Sequence, residues 1–330
     1  MSDDLAFASI PELGRLLRAR KVTAGELAEL FLERLERFGP RFNCVVTVTP
    51  ERALAAAARA DRDLKAGRIH GPLHGIPFGV KDLLAVAGYP TTWGAEPYRG
   101  QTFDTDATVV ARLDAAGAVL VAKLAMVELA GGMGYSQANA SFTGPGKTPW
   151  NPDYWSGGSS SGPGSAVAAG LVPFAIGSET SGSILTPSAY CGITGLRPTY
   201  GLVSRHGAMA LAWTMDKLGP MARSAEDCAL VLAAIAGKDP LDASSVAQGF
   251  RVPPPPPRPP DSRRHRFRIA VPKGAIDAVQ SEVAENFTRA LDVLRDSSDV
   301  VENVDVPDLP FGVVGGILIG AEGASAFDDL

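Results

Sequence analysis

No run of about 18 consecutive apolar residues occurs in this sequence, so a membrane-spanning helix is not expected. The first residues, MSDDLAFASIPEL, are acidic and lack the continuous apolar core of a secretory signal. Cysteine is scarce. Cys44, Cys191 and Cys228 are far apart, form no C-x-x-C pair and cannot make an even disulfide set, which points to reduced thiols in a cytoplasmic protein. A positive charge excess is also missing. The net charge of −5 gives no basis for a nucleic-acid surface or a polybasic membrane patch. No internal repeat is found. What the chain does have is glycine and proline, 36 and 26 of its 330 residues, which favour many structured loops. Hydrophobic residues at 45% and charged residues at 20% are ordinary for a soluble globular protein with a large core.

The stretch from Trp155 to Pro187, WSGGSSSGPGSAVAAGLVPFAIGSETSGSILTP, stands out. Two glycine-serine clusters flank an apolar segment. AVAAG can pack tightly as a helix, VPFAIG reads as a short buried strand, and GSETSGSI reads as the loop after it. Glycine allows close backbone approach, and serine supplies hydroxyls able to act as nucleophiles or proton carriers. Backbone N–H groups and hydroxyls are therefore expected to converge on one point.

Around that stretch the pattern is α/β. SIPE (Ser9–Glu12) and TAGE (Thr23–Glu26) fit capping boxes. The second opens a helix with Leu27, Leu30, Phe31, Leu35 and Phe38 on one face. Thr49 and Pro50 are expected as N-cap and first residue of an alanine-rich helix ending near Gly67. Ile76–Val80 and Ala118–Leu124 read as strands, Thr105–Ala116 as a helix, and SAED (Ser224–Asp227) caps another. A glycine-rich loop, ELAGGMGYSQANASFTGPGKTPWNP, precedes the serine clusters. FRVPPPPPRPPDSRRHRFR reads as an extended surface linker. FRIAVP and VVENVDV read as strands around a helix over Ser281–Arg295, whose Val283, Phe287, Ala290, Leu291 and Leu294 share a face. Helices alternating with short apolar strands indicate an α/β fold with part of the sheet parallel.

Three chemistries compete for the serine clusters. Gly158–Gly162 matches G-x-S-x-G, but a nucleophile elbow needs a strand before it, and KTPWNPDYWS reads as a loop. That elbow would make Ser160 the nucleophile and needs a downstream histidine; only His206 and the linker's His265 are available, and His206 is read as a packing or loop residue. A phosphate-binding loop needs lysine where Pro163 stands. The third reading joins Lys81, Ser159 and Ser183. Lys81 follows an apolar segment, where desolvation would lower its pKa and leave a neutral amine able to take a serine proton. A second serine would relay the proton if the amine cannot reach the nucleophile itself.

GVKD, GGSSSG followed by AVAAG, and GSETSGSILTPSAYCGITGLRPTYG together resemble the amidase signature family. Its lysine after GV, its GGSSxG cluster and its second serine loop followed by P and CG recur in the same order. The resemblance runs from the N-terminal helices to about Pro240. It implies a mixed central β-sheet flanked by helices and a Ser–Ser–Lys triad. Ser183 would be the nucleophile, Ser159 the bridge through a cis peptide after Gly158, and Lys81 the base. Backbone N–H groups of Thr180, Ser181, Gly182 and Ser183 would form the oxyanion hole. Two readings of the adjacent Ser160 stay open: support of Ser159 by hydrogen bonding, or a solvent-facing loop hydroxyl. No metal or organic cofactor is implied. Cys191 is read as a buried structural thiol.

The chain departs from the pattern at Glu179, often Asp; at Ser181, often Gly, whose backbone must tolerate a β-carbon; and at Leu185, often Arg. Leucine cannot pair with a substrate carboxylate, which argues against a dicarboxylic monoamide. The chain also ends short of usual members, so a C-terminally truncated form is expected. Residues 1–70 are expected as the N-terminal helical part of one amidase domain, 71–246 as its catalytic core, 247–266 as a Pro/Arg-rich linker and 267–330 as the start of an incomplete C-terminal part. The expected activity is hydrolysis of a small-molecule carboxamide through an acyl-enzyme on Ser183. The alternatives are the glutaminase component of a tRNA-dependent amidotransferase, with partner subunits, or an inactive fragment or binding module. A homodimer is the other assembly considered.

Overall fold

The computed structural model describes residues 3–137, 139–253 and 267–329; the expected linker's prolines from 254 onward and His265 lie outside them. The chain forms two compact units, Met1–Val252 with Gly315–Leu330, and Pro253–Val314.

In the first unit, helix α1 (Ile10–Arg18) starts where the Ser9 hydroxyl accepts from the Glu12 N–H, and it buries Ile10, Leu13, Gly14 and Leu17. Helix α2 (Ala24–Phe42) carries the full capping box of Thr23 and Glu26 and ends at Asn43 in the left-handed conformation. Strand β1 (Val45–Val48) follows; its four half-buried residues are all β-branched, yet it is not among the expected strands. Helix α3 (Pro50–Lys65) has Thr49 at its N-cap as expected, but that hydroxyl donates to Leu120 O at 2.9 Å instead of capping the helix. The threonine thus joins the helix to the sheet.

Strands β2 (Pro77–Lys81) and β3 (Val119–Leu124) flank helix α4 (Thr108–Ala115), and every residue of both strands is buried. Helix α5 (Ser161–Ala168), strand β4 (Phe174–Glu179) and helix α6 (Leu185–Cys191) come from the serine-rich stretch and the residues just after it. Strands β5 (Thr194–Gly195) and β6 (Lys217–Ala222) and helix α7 (Ala225–Ile235), capped by Ser224, complete this part. The six strands form one mixed sheet in the order β1-β3-β2-β4-β6-β5. Strand β2 runs parallel to both β3 and β4, while β1, β5 and β6 pair antiparallel. Parallel strands covered on both faces need continuous apolar sequence, which is why β3 and β4 read as apolar runs. Phe78 and Phe174 stack across β2 and β4 with ring centroids 5.4 Å apart.

In the second unit, strands β7 (Phe267–Pro272) and β8 (Ser298–Val304) pair in parallel beside helix α8 (Ser281–Arg295). Of the apolar face expected on α8, Leu291 is buried while Val283 and Leu294 are exposed. Helix α9 (Phe311–Ala326), which the sequence did not announce, begins in this unit and belongs to the first from Gly315. There the buried Glu322 carboxylate accepts from Thr214 N and Thr214 Oγ1 at 3.0 and 2.6 Å.

Helix α5 can approach the sheet closely because position 162 has no side chain. A β-carbon there would lie 2.5 Å from Cys44 O and 2.6 Å from Ala125 O, both backbone atoms. Gly162→Ala is therefore expected to destabilise the protein by about 1–3 kcal/mol, read as a lower denaturation midpoint in urea with an unchanged slope.

Candidate active site

Lys81 is the last residue of β2, and its side chain is fully buried. Its Nζ donates to Ser159 Oγ at 2.7 Å and to Ser178 Oγ at 2.9 Å. Burial lowers its pKa to about 7 from 10.5, against the opposing pull of Asp216 and Glu179. Hydroxyls satisfy an ammonium without neutralising it, so desolvation outweighs the distant carboxylates. A second buried lysine shows the contrast. Lys123 on β3 pairs with Val80, one register step from Lys81, so the two side chains leave the sheet on opposite faces. Lys123 Nζ lies 2.9 Å from Asp82 Oδ1 and 2.7 Å from Pro90 O. It has a carboxylate at contact distance; Lys81 has none.

Ser159 and Ser160 occupy the turn before α5. Gly157 takes φ of +76°, and the peptide between Gly158 and Ser159 is cis. A β-carbon on Gly157 would meet the Pro187 backbone at 2.9 Å, so the turn is pressed against α6. Val127 N donates to Ser159 O at 3.0 Å, and Ser160 N donates to Ser183 O at 3.2 Å. Ser160 Oγ donates to Ser178 O at 3.2 Å and accepts from Ser178 N at 3.3 Å. Ser160 thereby fastens the turn to β4. Its buried hydroxyl is used up in that link, which leaves no free nucleophile at the centre of the G-x-S-x-G match.

Ser183 follows β4 on a loop held from below by Glu179. That buried carboxylate accepts from Ile184 N at 2.8 Å and Leu185 N at 3.0 Å, and Arg197 pairs with it at 3.3 Å. The positive φ in this loop, +96°, falls on Gly182, so Ser181 keeps an ordinary backbone conformation and its β-carbon is accommodated. The carbonyls of Gly182 and Ser183 are engaged by Thr186 N and Ser160 N. Among the described residues, the N–H groups of Thr180, Ser181, Gly182 and Ser183 donate to no protein acceptor. Four unspent donors beside one buried hydroxyl are suited to receiving an oxyanion.

Tyr135 completes the cluster. Its hydroxyl lies 3.0 Å from Ser183 Oγ. Its ring meets Trp155 edge-on at 5.8 Å, and Trp155 meets Tyr190 in the same way at 6.1 Å. Among the described residues no hydrogen bond joins Ser159 Oγ directly to Ser183 Oγ. A cavity of about 230 Å³ opens beside Ser178 and Thr180, lined by apolar side chains such as Leu83, Met209 and Trp213 and by the charged Arg205, Asp216 and Asp242.

Elsewhere, Cys191 is buried with its thiol pushed up to about 11 by desolvation, so it is not a ready nucleophile. His206 lines the cavity, and the Thr108 N–H donates to its backbone carbonyl, away from the serines. Among the described residues no group of three His, Cys, Asp or Glu side chains is arranged to hold a metal ion. Lys81, Ser159, Ser160, Ser183 and the 180–183 backbone are thus gathered in one place. Tyr135, Ser178 and the bracing role of Glu179 were missed by sequence reasoning. Tyr135 sits in a glycine-rich loop with no periodicity, and only its nearness in the fold reveals it.

A family model described as Amidase matches residues 26–329. The chain is 41% identical over 303 residues to the putative amidase AmiD of Mycobacterium tuberculosis, covering 92% of this chain and 60% of that protein. It is 40% identical over 322 residues to the A-type component of the glutamyl-tRNA(Gln) amidotransferase of Halorhodospira halophila, covering 96% and 64%. Among solved structures, native peptide amidase from Stenotrophomonas maltophilia superposes with a TM-score of 0.85 at 32% identity, covering 98% of this chain and 67% of that one. The chain thus spans about 60% of the length of the first of these relatives.

The depressed pKa of Lys81 makes stability depend on pH. Between about 7 and 10.5 the unfolded chain holds a proton on this amine that the folded protein does not, so raising pH across that interval favours folding. Measured against Lys81→Met, the wild type should gain on the order of 4 kcal/mol in unfolding free energy across that interval, read by urea titrations at successive pH values. Equal pH slopes for the two proteins would mean that the amine stays charged when folded.

Proposed function

The chain belongs to the amidase family, and on that premise we propose that it hydrolyses a carboxamide to a carboxylic acid and ammonia or an amine through an acyl-enzyme on Ser183. The observation that carries this reading is the fully buried Lys81 amine, 2.7 Å from Ser159 Oγ and with its pKa lowered to about 7. A neutral amine near pH 7 is a competent general base. The proton of Ser183 reaches Lys81 by way of Ser159, and Ser183 Oγ attacks the amide carbonyl. The N–H groups of residues 180–183 take up the developing negative charge. Ser159 returns the proton to the leaving nitrogen, and water then releases the acid.

Leu185, half exposed two residues beyond the nucleophile, favours an uncharged acyl group. The domain reading follows the same logic. Residues 1–252 and 315–330 act as one catalytic body. The three buried, unpaired cysteines suit a cytoplasmic setting.

The near-equal identity to an amidotransferase component supports a second reading, a glutaminase working with partner subunits. Glutamine-dependent ammonia release, together with co-purifying partner chains, would favour it; release from simple uncharged amides by the chain alone would favour the first.

Ser183→Ala should abolish labelling by a fluorophosphonate and cut ammonia release by about a thousandfold or more. In the wild type, the labelling rate should rise with pH through a midpoint near 7, as Lys81 loses its proton, and then level off. Labelling that persists in Ser183→Ala, or moves to Ser160, would overturn the assignment.

A further inference from the structure

Lys217, the first residue of β6, stands directly across the ladder from Glu179, the last residue of β4. Opposite residues of an antiparallel pair share a face, so a carboxylate and an amine serve the same side of the sheet. Each takes one end of the loop that carries Ser183. Glu179 accepts from Ile184 N and Leu185 N at 2.8 and 3.0 Å, while Lys217 Nζ donates to Thr180 O at 3.0 Å. Among the described residues Lys217 makes no ion pair, and Glu179 has Arg197 instead. The contact this amine makes is spent on a carbonyl.

We propose that Lys217 is a positioning residue that aims the Ser181 N–H at the developing oxyanion. This rests on the amidase reading above. A peptide unit is planar, and in its trans form the carbonyl and the following N–H point in opposite directions. The Thr180–Ser181 peptide is trans. A donor fixed on Thr180 O therefore fixes the Ser181 N–H on the far side of the peptide. A cationic donor on that oxygen also draws electrons from the nitrogen and strengthens its N–H.

The same geometry recurs two residues on. Thr186 N donates to Gly182 O at 2.7 Å, which fixes the Ser183 N–H in the same way. There a backbone donor does what the lysine does upstream. Thr180 is held by its side chain as well, for its hydroxyl donates to the buried Asp216 carboxylate at 2.6 Å. With hydroxyl and carbonyl both engaged, the peptide after Thr180 cannot rotate without breaking the bond to Lys217. Among the described residues the Ser181 N–H has no protein acceptor, so it is a donor held in place and unspent.

The test is the labelling of Ser183 by an alkyl fluorophosphonate over a series of probe concentrations, which separates probe binding (KI) from attack (kinact). Wild type, Lys217→Met and Lys217→Ala are compared from pH 6 to 9, with thermal midpoints measured alongside. Negative charge grows on the phosphonyl oxygen only during attack. Lys217→Met should therefore lower kinact about tenfold or more and leave KI within about twofold of wild type. The pH midpoint near 7 should stay in place, because the carboxylates acting on Lys81 are those of Asp216 and Glu179. Lys217→Ala gives the same comparison should the methionine variant melt below the assay temperature. A wild-type kinact in a folded variant, a loss carried by KI, or a displaced pH midpoint would overturn the assignment. If wild-type Ser183 takes no label at all, the amidase reading falls and this assignment with it. A labelled wild type with an unaffected Lys217→Met removes this assignment alone.

Discussion

An amine withdrawn from water and met only by hydroxyls is the constraint on which the rest of this molecule depends. Water solvates an ammonium far better than two serine oxygens do, so Lys81 gives up its proton near neutrality instead of near 10.5. Everything around it maintains that condition. Strand β2 carries it into the middle of a sheet whose neighbours exclude water, and the turn at Gly157–Ser160 closes over it. Glu179 spends its charge on the backbone of the following loop and on Arg197, not on the amine. Had a carboxylate stood at contact distance, as Asp82 does for Lys123, the amine would hold its proton more firmly.

The two serine loops reach the amine from different directions, and β4 links them. Ser178 donates its N–H to Ser160 and accepts from Lys81, while Glu179, next along, braces the loop that carries Ser183. Two adjacent residues of one strand therefore set the height of both loops above the sheet. Hydrogen bonds to buried backbone groups are costly to leave unmade, so neither loop can shift without exposing partners that have no replacement.

Much of this was legible in the sequence, for identifiable reasons. Capping residues such as Ser9, Thr23 and Ser224 act over three positions, and β3 and β4 are largely apolar runs, so these elements announce themselves. Lys81, Ser159 and Ser183 stand in motifs whose order and spacing are distinctive. What escaped depends on contacts made across the chain. Strand β1 is four residues long and partly exposed. Thr49 exchanged its capping role for a bond to Leu120 O. Tyr135 is 48 residues from Ser183, and no local pattern joins them. Helix α9 lacks polar alternation, so its sequence resembled an irregular tail. Lys123 looked like any strand lysine until its carboxylate partner was located.

The single step of register between the two interior lysines has a consequence for how the sheet assembles. If β2 paired with β3 one position out of step, Lys81 and Lys123 would stand opposite each other on the same face. Two interior amines would then be neighbours, and Lys123 would forfeit the Asp82 carboxylate that makes its burial tolerable. Misalignment is thus penalised twice by the same shift. A pair of residues that looks like an extravagance in a dry interior acts as a key that admits a single alignment of the central strands.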